Sequence, residues 1–332
     1  MKKYLLATIF VSTILFACNK ETDEPDNNTT SDSSEINYRQ EMRNFVKNIS
    51  EYAKNINSAF VIIPQNGVEL VSTNGEHSGS PALDYINAID GIGQEDLFYG
   101  YNNDNEQTPA EANQWLSGFL DMAKNNGVKI LVTDYCFTHS YVDDSYQKNN
   151  QKGYISFAAN HRELDTIPLY PSPLFNENTN IVTSLDSAKN FLYLLAPDNY
   201  FSNSQDFVNA VKNTNYDLII MDYFFNGQEY TDNQIAELKQ KANGGKRMII
   251  SYMSIGEAEE YRYYWQQTWT VGNPGFIYKE NPEWQGNYVV KYWDKQWQDI
   301  IFGNDSSYLK KIIDKGFDGV YLDIIDAYES FE

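Results

Sequence analysis

Short apolar runs recur near positions 60, 92, 128, 191, 216, 247, 288 and 318, mostly separated by stretches of helical periodicity. Runs such as LIIM (218–221) and the apolar residues of GVYLDII (319–325) lack the polar alternation of a half-exposed strand. They therefore read as strands buried on both faces, as in parallel sheets covered by helices. Eight such strand–helix units within residues 38–332 predict an α/β fold of the (β/α)8 TIM-barrel type. The alternative, an open doubly wound sheet, lacks its glycine-rich first turn.

The spacing predicts helices over Tyr38–Asn55, Pro81–Ile89, Pro109–Asn125, Gln205–Lys212, Asp232–Ala242 (capped by Thr231) and Tyr308–Lys315. Strands are expected at Phe60–Ile63, within Gly91–Tyr99, and at Val128–Thr133, Phe191–Ala196, Tyr216–Met221, Arg247–Met253 and Tyr288–Tyr292, with a further short strand at Gly153–Ala159. Residues 165–187 lose periodicity and contain three prolines, which marks a linker. Acidic or amide residues follow the strands: Asn66, Glu95, Asp134, Asp222, Glu257, Asp294 and Asp323. In a barrel those ends converge on the face where the chemistry of the fold sits. A carboxylate at the end of a buried strand is costly unless it is paired or used.

The first seventeen residues read as a lipoprotein signal peptide, with Lys2 and Lys3 before an apolar segment and Leu15-Phe16-Ala17 leading to Cys18 as the lipidated residue. Residues 18–37 are mostly polar and without aromatics, as in a flexible tether. An exported protein held by its lipid at the outer membrane or cell surface is the expectation. With Cys18 lipidated, Cys136 has no disulfide partner and reads as a small buried hydrophobe. The formal charge of −21 excludes a basic nucleic-acid-binding face. It suits a cationic ligand, and equally the solubility of an exported protein. Three histidines without ligand spacing argue against zinc, and neither metal nor cofactor is expected.

The segments YDLIIMDYF, ISYMSIGEAEEYR, NPEWQGNYVVKYWD, GFDGVYLDIIDAYE, FVIIPQNGVEL, IDGIGQEDLFY and VKILVTDYC together resemble glycoside hydrolase family 114, the endo-α-1,4-polygalactosaminidase-like barrels. Relative to that family the motif order is rotated. Residues 38–164 resemble its second half and residues 188–332 its first, with 165–187 joining the old ends. The resemblance implies a circularly permuted single barrel, in which the helix absent after Glu332 is supplied by Tyr38–Asn55. The competing explanation is a truncated gene behind an unrelated N-terminal domain.

The resemblance also implies a glycosidase that cleaves an extracellular, amino-sugar-rich polysaccharide with two carboxyl groups; the leader would anchor it by lipid, and a monomer is expected. Asp323 is then the nucleophile and Glu95 the acid/base. Asp222, Glu257, Asp134 and Asp326 are candidates to bind hydroxyls, hold an amino group or tune the acid. Asn66 and Gln65 can donate to hydroxyls, and Tyr135, Tyr223 and Tyr252 are expected to line the pocket. Of the tryptophans clustered between 265 and 297, Trp293 is expected to stack on a sugar. Two competing functions remain at this point: a non-catalytic glycan-binding lipoprotein on the same barrel, and an adhesive surface protein.

Overall fold

The apolar runs form strands, and nearly every residue in them is buried. The computed structural model describes residues 36–332, so the leader, Cys18 and most of the tether lie outside the described residues. Eight strands run parallel: β1 (Val61–Pro64), β2 (Gly91–Glu95), β3 (Lys129–Tyr135), β4 (Ile155–Ala159), β5 (Leu192–Leu194), β6 (Leu218–Met221), β7 (Met248–Ser254) and β8 (Gly319–Asp323). Five pair in the order β5-β6-β7-β8-β1, and three in the order β2-β3-β4. A parallel bridge between Gln65 and Gly93 continues β1 into β2, with the Asn66 amide donating to the Gly93 carbonyl at 2.8 Å. The result is an α/β fold with a parallel central sheet. Beyond β4 and β5, the Leu195 amide donates to the Leu164 carbonyl at 2.8 Å.

Inside the sheet, Gly93 is required by packing. A Cβ there would stand 1.9 Å from the Tyr321 hydroxyl of β8. Tyr193 and Tyr321 fill the same space with ring centroids 5.2 Å apart, and the Tyr193 hydroxyl donates to Gln65 Oε1 at 3.1 Å. These tyrosines form a floor beneath the strand ends.

Helix α1 (Tyr38–Ile56) buries Met42, Phe45, Val46, Ile49 and Ala53 along one stripe, and Asn37 caps it by accepting from the Gln40 amide. It packs where the segment after β8 needs cover. Tyr38 meets Phe331 at 5.4 Å between ring centroids, and Arg39 Nε lies 3.0 Å from Glu332 Oε1. Tyr292 donates its hydroxyl to the Tyr38 carbonyl at 2.8 Å. Tyr38 and Glu332, 294 positions apart in the numbering, are thus neighbours in space. Among the described residues no helix is long and apolar enough to cross a membrane.

Three expectations need correction. The run near 288 is not one of the eight parallel strands. Asn287–Val290 pairs antiparallel with Glu257–Glu259 and with Ile277–Glu280 in a separate three-stranded sheet. Its place in the parallel series belongs to β4, the strand read at Gly153–Ala159, whose five residues are all buried. Composition did not separate the two, because both are short; only pairing partners did. Asp294 therefore follows none of the parallel strands, and instead caps helix Lys295–Ile301 by accepting from the Gln296 amide at 2.8 Å.

Helix α2 (His139–Lys152) went unread because its inner face is largely polar, with Ser145 and Asn149 buried beside Val142 and Tyr146. The helix after Thr231 stops at Leu238, short of Ala242. The 165–187 segment is mostly irregular, and a buried polar knot pins its far end. Asn178 donates to Asp217 at 2.8 Å, and Lys241 donates to both Asp217 and the Asn178 carbonyl. Cys136 is buried and unpaired.

Candidate active site

The strand ends open into a cavity of about 540 Å³. Asp323, the last residue of β8, and Glu95, the last of β2, both line it, with β1 alone between their strands. Each is held in place by tyrosine. Tyr252 on β7 donates its hydroxyl to Asp323 Oδ2 at 2.6 Å. Tyr135 on β3 donates to Glu95 Oε1, and Asn66 Nδ2 donates to Glu95 Oε2 at 3.0 Å. Hydrogen bonds of this kind fix a carboxylate's rotamer and orientation.

Backbone strain gathers at the same place. Ile324, directly after Asp323, has φ +56°, and Asn66 and Asp96 beside Glu95 have φ +58° and +60°. Asparagine and aspartate tolerate the left-handed region; a β-branched residue rarely adopts it. Gly256 makes the turn at Ile324 feasible, because a Cβ there would stand 2.0 Å from the Ile324 carbonyl.

Electrostatically the cavity is acidic. Glu95, Glu163, Asp222, Glu257, Glu259, Asp323 and Asp326 line it against Arg162 and Arg262. Both arginines are already engaged. Arg162 pairs with Asp96 and Asp104 at 2.8 and 2.9 Å. Arg262 grips Asp222 through both terminal nitrogens at 2.8 and 2.7 Å, and Glu259 through Nε at 2.5 Å. Burial pushes the Asp323 carboxyl up to about 8; the Tyr252 hydrogen bond opposes this and the Glu95 charge adds to it. Asp326 is raised to about 7 by burial and then by the neighbouring Glu329 charge. Burial also raises Glu257, against the amide donors of Asn281 and Asn287.

The structure brings together Asp323, Glu95, Asp222, Glu257, Asp326, Asn66, Gln65, Tyr135 and Tyr252. It places three expected residues elsewhere. Asp134 is fully buried and satisfied by the Phe98 and Tyr99 amides, Ser145 and Asn149, so it braces the loop after β2 and helix α2. Tyr223 is buried against Phe224, Tyr308 and Phe317. Trp293 packs on Tyr38, Tyr292 and Phe331 beneath α1. Asp134 lies within β3 and the other two follow strands, but each points to the side away from the cavity. The tryptophan at the cavity is Trp284, which is 66% exposed.

Glu259, Arg262 and Arg162 line the site and were not read from the sequence. Arg262 stands in the same EAEEYR segment as Glu257, six residues after Gly256, and a lone arginine amid acids was the available sign.

Residues 176–332 match the family described as Glycoside-hydrolase family GH114. An uncharacterized protein of Methanocaldococcus jannaschii is 45% identical over 125 residues, 37% of this chain and 34% of that protein. An uncharacterized protein of Deinococcus radiodurans is 43% identical over 122 residues, 37% of each chain. One of Thermotoga maritima is 38% identical over 119 residues, 36% of this chain and 35% of the relative. The chain thus spans about a third of the length of the curated relatives it matches. Asp323, Asp222, Glu257, Asp326 and Tyr252 lie inside the family match, whereas Glu95, Asn66 and Tyr135 lie outside it.

Proposed function

We propose that the protein is a glycosidase that cleaves a polysaccharide rich in amino sugars, with Asp323 and Glu95 as the reacting carboxyl groups. The observation that carries this reading is their convergence on one cavity whose other carboxylates outnumber its two arginines, both of which are already paired. A protonated amino sugar entering there meets uncompensated negative charge, and acidic walls focus such ligands.

Glycosidic cleavage needs one proton and two carboxyls. Burial and like charge make the pair hold a single proton, which rests on Asp323 in the free protein. An ammonium group bound near Asp323 favours its ionised form, which frees that proton for transfer by way of Glu95. Glu95 protonates the leaving oxygen, and Asp323, aimed by Tyr252, attacks the anomeric carbon. Water afterwards hydrolyses the glycosyl ester with Glu95 as base.

Asp323→Asn and Glu95→Gln should each lower turnover of α-1,4-linked galactosamine polymer by at least about a hundredfold, the usual scale for losing an acid or base. Azide separates the roles. Restoring Asp323→Gly with azide should yield a glycosyl azide of inverted configuration, and restoring Glu95→Ala one of retained configuration. Activity that survives both substitutions removes this site assignment.

The same reading includes a closed (β/α)8 barrel, with the seam between β4 and β5 bridged near Leu164 and Leu195. It also includes the permuted order of halves, 188–332 before 38–164, which the proximity of Tyr38 to Glu332 supports. Export and anchoring through Cys18 rest on the leader's residue pattern.

A further inference from the structure

The acidic cavity continues past Asp222. Beyond the Asp222–Arg262 pair lies a second cavity of about 470 Å³. Leu195, Asp222, Tyr261 and Arg262 wall both spaces, so the two adjoin along one side. Each volume falls within the roughly 300–1,000 Å³ of small-molecule sites. Phe224, Tyr263 and Asp198 line the outer cavity and not the inner, and add two aromatic rings and a carboxylate.

Those walls are built rather than loose. Phe224 begins a two-stranded hairpin, Phe224–Phe225 with Gln228–Glu229, turned by Asn226 and Gly227 at φ +46° and +72°. Positive φ at both central residues is the hairpin turn that matches strand twist. The Phe224 amide donates to Asp222 Oδ1 at 2.7 Å, tying the hairpin to the ion pair below it. Tyr263 is 42% exposed at the cavity, with Lys311 Nζ 5.0 Å from its ring centroid and Phe224, Tyr264 and Tyr308 packed around it. Among the described residues Asp198 makes no ion pair and no side-chain hydrogen bond, although it lines this cavity.

We propose that the outer cavity is a second sugar subsite, which takes a further unit of the same polymer whose scissile bond lies between Asp323 and Glu95. An apolar sugar face stacks on Tyr263 and Phe224, as aromatic faces permit. Asp198 accepts from an ammonium or hydroxyl group of that unit. The Asp222–Arg262 pair forms the sill between the two units, and its arginine is neutralised so that it does not repel a cationic chain. This subsite rests on the amino-sugar glycosidase reading above, and it makes catalysis depend on chain length.

The test is kcat/KM for α-1,4-linked galactosamine oligosaccharides from disaccharide to octasaccharide, for the unmodified protein, Tyr263→Ala, Tyr263→Phe and Asp198→Asn. The loss for Tyr263→Ala should grow with length, reaching about tenfold more on the octasaccharide than on the shortest oligomer cleaved. Asp198→Asn should show the same trend less strongly, and Tyr263→Phe, which keeps the ring, should restore most of the length dependence. A loss equal at every length, or none, overturns the subsite.

A binding arm separates this claim from the one beneath it, by calorimetry of the same oligomers in an Asp323→Asn background. Length-dependent affinity that Tyr263→Ala abolishes sustains the subsite even where hydrolysis is absent. No binding of any oligomer overturns both readings.

Discussion

At the scale of single residues, Asp323 carries the sharpest consequence. Its carboxyl is raised to about 8 by burial and by Glu95, against about 3.9 for an unperturbed aspartate. The pair then keeps one proton up to about pH 8 and loses it above. Glycosidic cleavage needs that proton, so kcat/KM should fall as pH rises through about 8. Because the folded state binds the proton more tightly than the unfolded chain, stability should also decline with rising pH between about 4 and 8. Asp323→Asn removes that titration and should be more stable than the unmodified protein at pH 8, with the difference shrinking toward pH 4. Thermal melts of both proteins across this range, with the pH–rate profile of the unmodified one, check the two signs together. A rate still climbing at pH 9 counts against the shared proton.

At the scale of elements, the segment between β7 and the small antiparallel sheet does most to shape the site. Arg262 is 6% exposed and bridges Glu259 from its own segment to Asp222 after β6. Removing one member of such a buried cluster leaves the others uncompensated, at a cost of about 3–5 kcal/mol. Arg262→Ala should therefore lower the unfolding free energy measured by urea titration by that amount. Asp222→Asn, which leaves Glu259 still paired with Arg262, should cost less. Equal and small effects from both would mean that the cluster is solvated rather than structural. Both walls of the two cavities meet at this pair, so each variant should also weaken binding of the longer oligosaccharides.

At the scale of the whole molecule, α1 and the segment after β8 behave as consecutive pieces of one unit although they stand at opposite ends of the numbering. Tyr38 packs on Phe331, and Arg39 reaches Glu332. A rearranged chain that runs 188–332, then a short glycine–serine link, then 38–164 should fold cooperatively and keep the activity of the original. Domains tolerate such rearrangement where the joined ends lie close. Circular dichroism and a single unfolding transition measure the first outcome and polymer hydrolysis the second. A rearranged chain that fails to fold would mean that the 165–187 segment, pinned by Asn178, Asp217 and Lys241, contributes more than a connection.

Much of this was written in local pattern. LIIM at 218–221 and the run ending at Asp323 are apolar without alternation, and that alone marks strands buried on both faces. Glu95 and Asp323 stand among several carboxylates at the ends of such strands, and it is the resemblance to glycoside hydrolase family 114 that singles them out. Their common cavity, the tyrosines that hold them and the buried Arg262 cluster were not legible, since each joins residues tens to hundreds of positions apart.

The run at 288 and the run at 155 look alike in sequence, and only backbone pairing decided which one joins the parallel series. Asp134, Tyr223 and Trp293 each follow an apolar run, yet side-chain direction turns them away from the cavity. Periodicity and burial cost are local and act within a few residues, so the sequence carries elements and candidate acids. Which acids face one another depends on strand order and on the direction each side chain takes, and only the packed tertiary structure decides those.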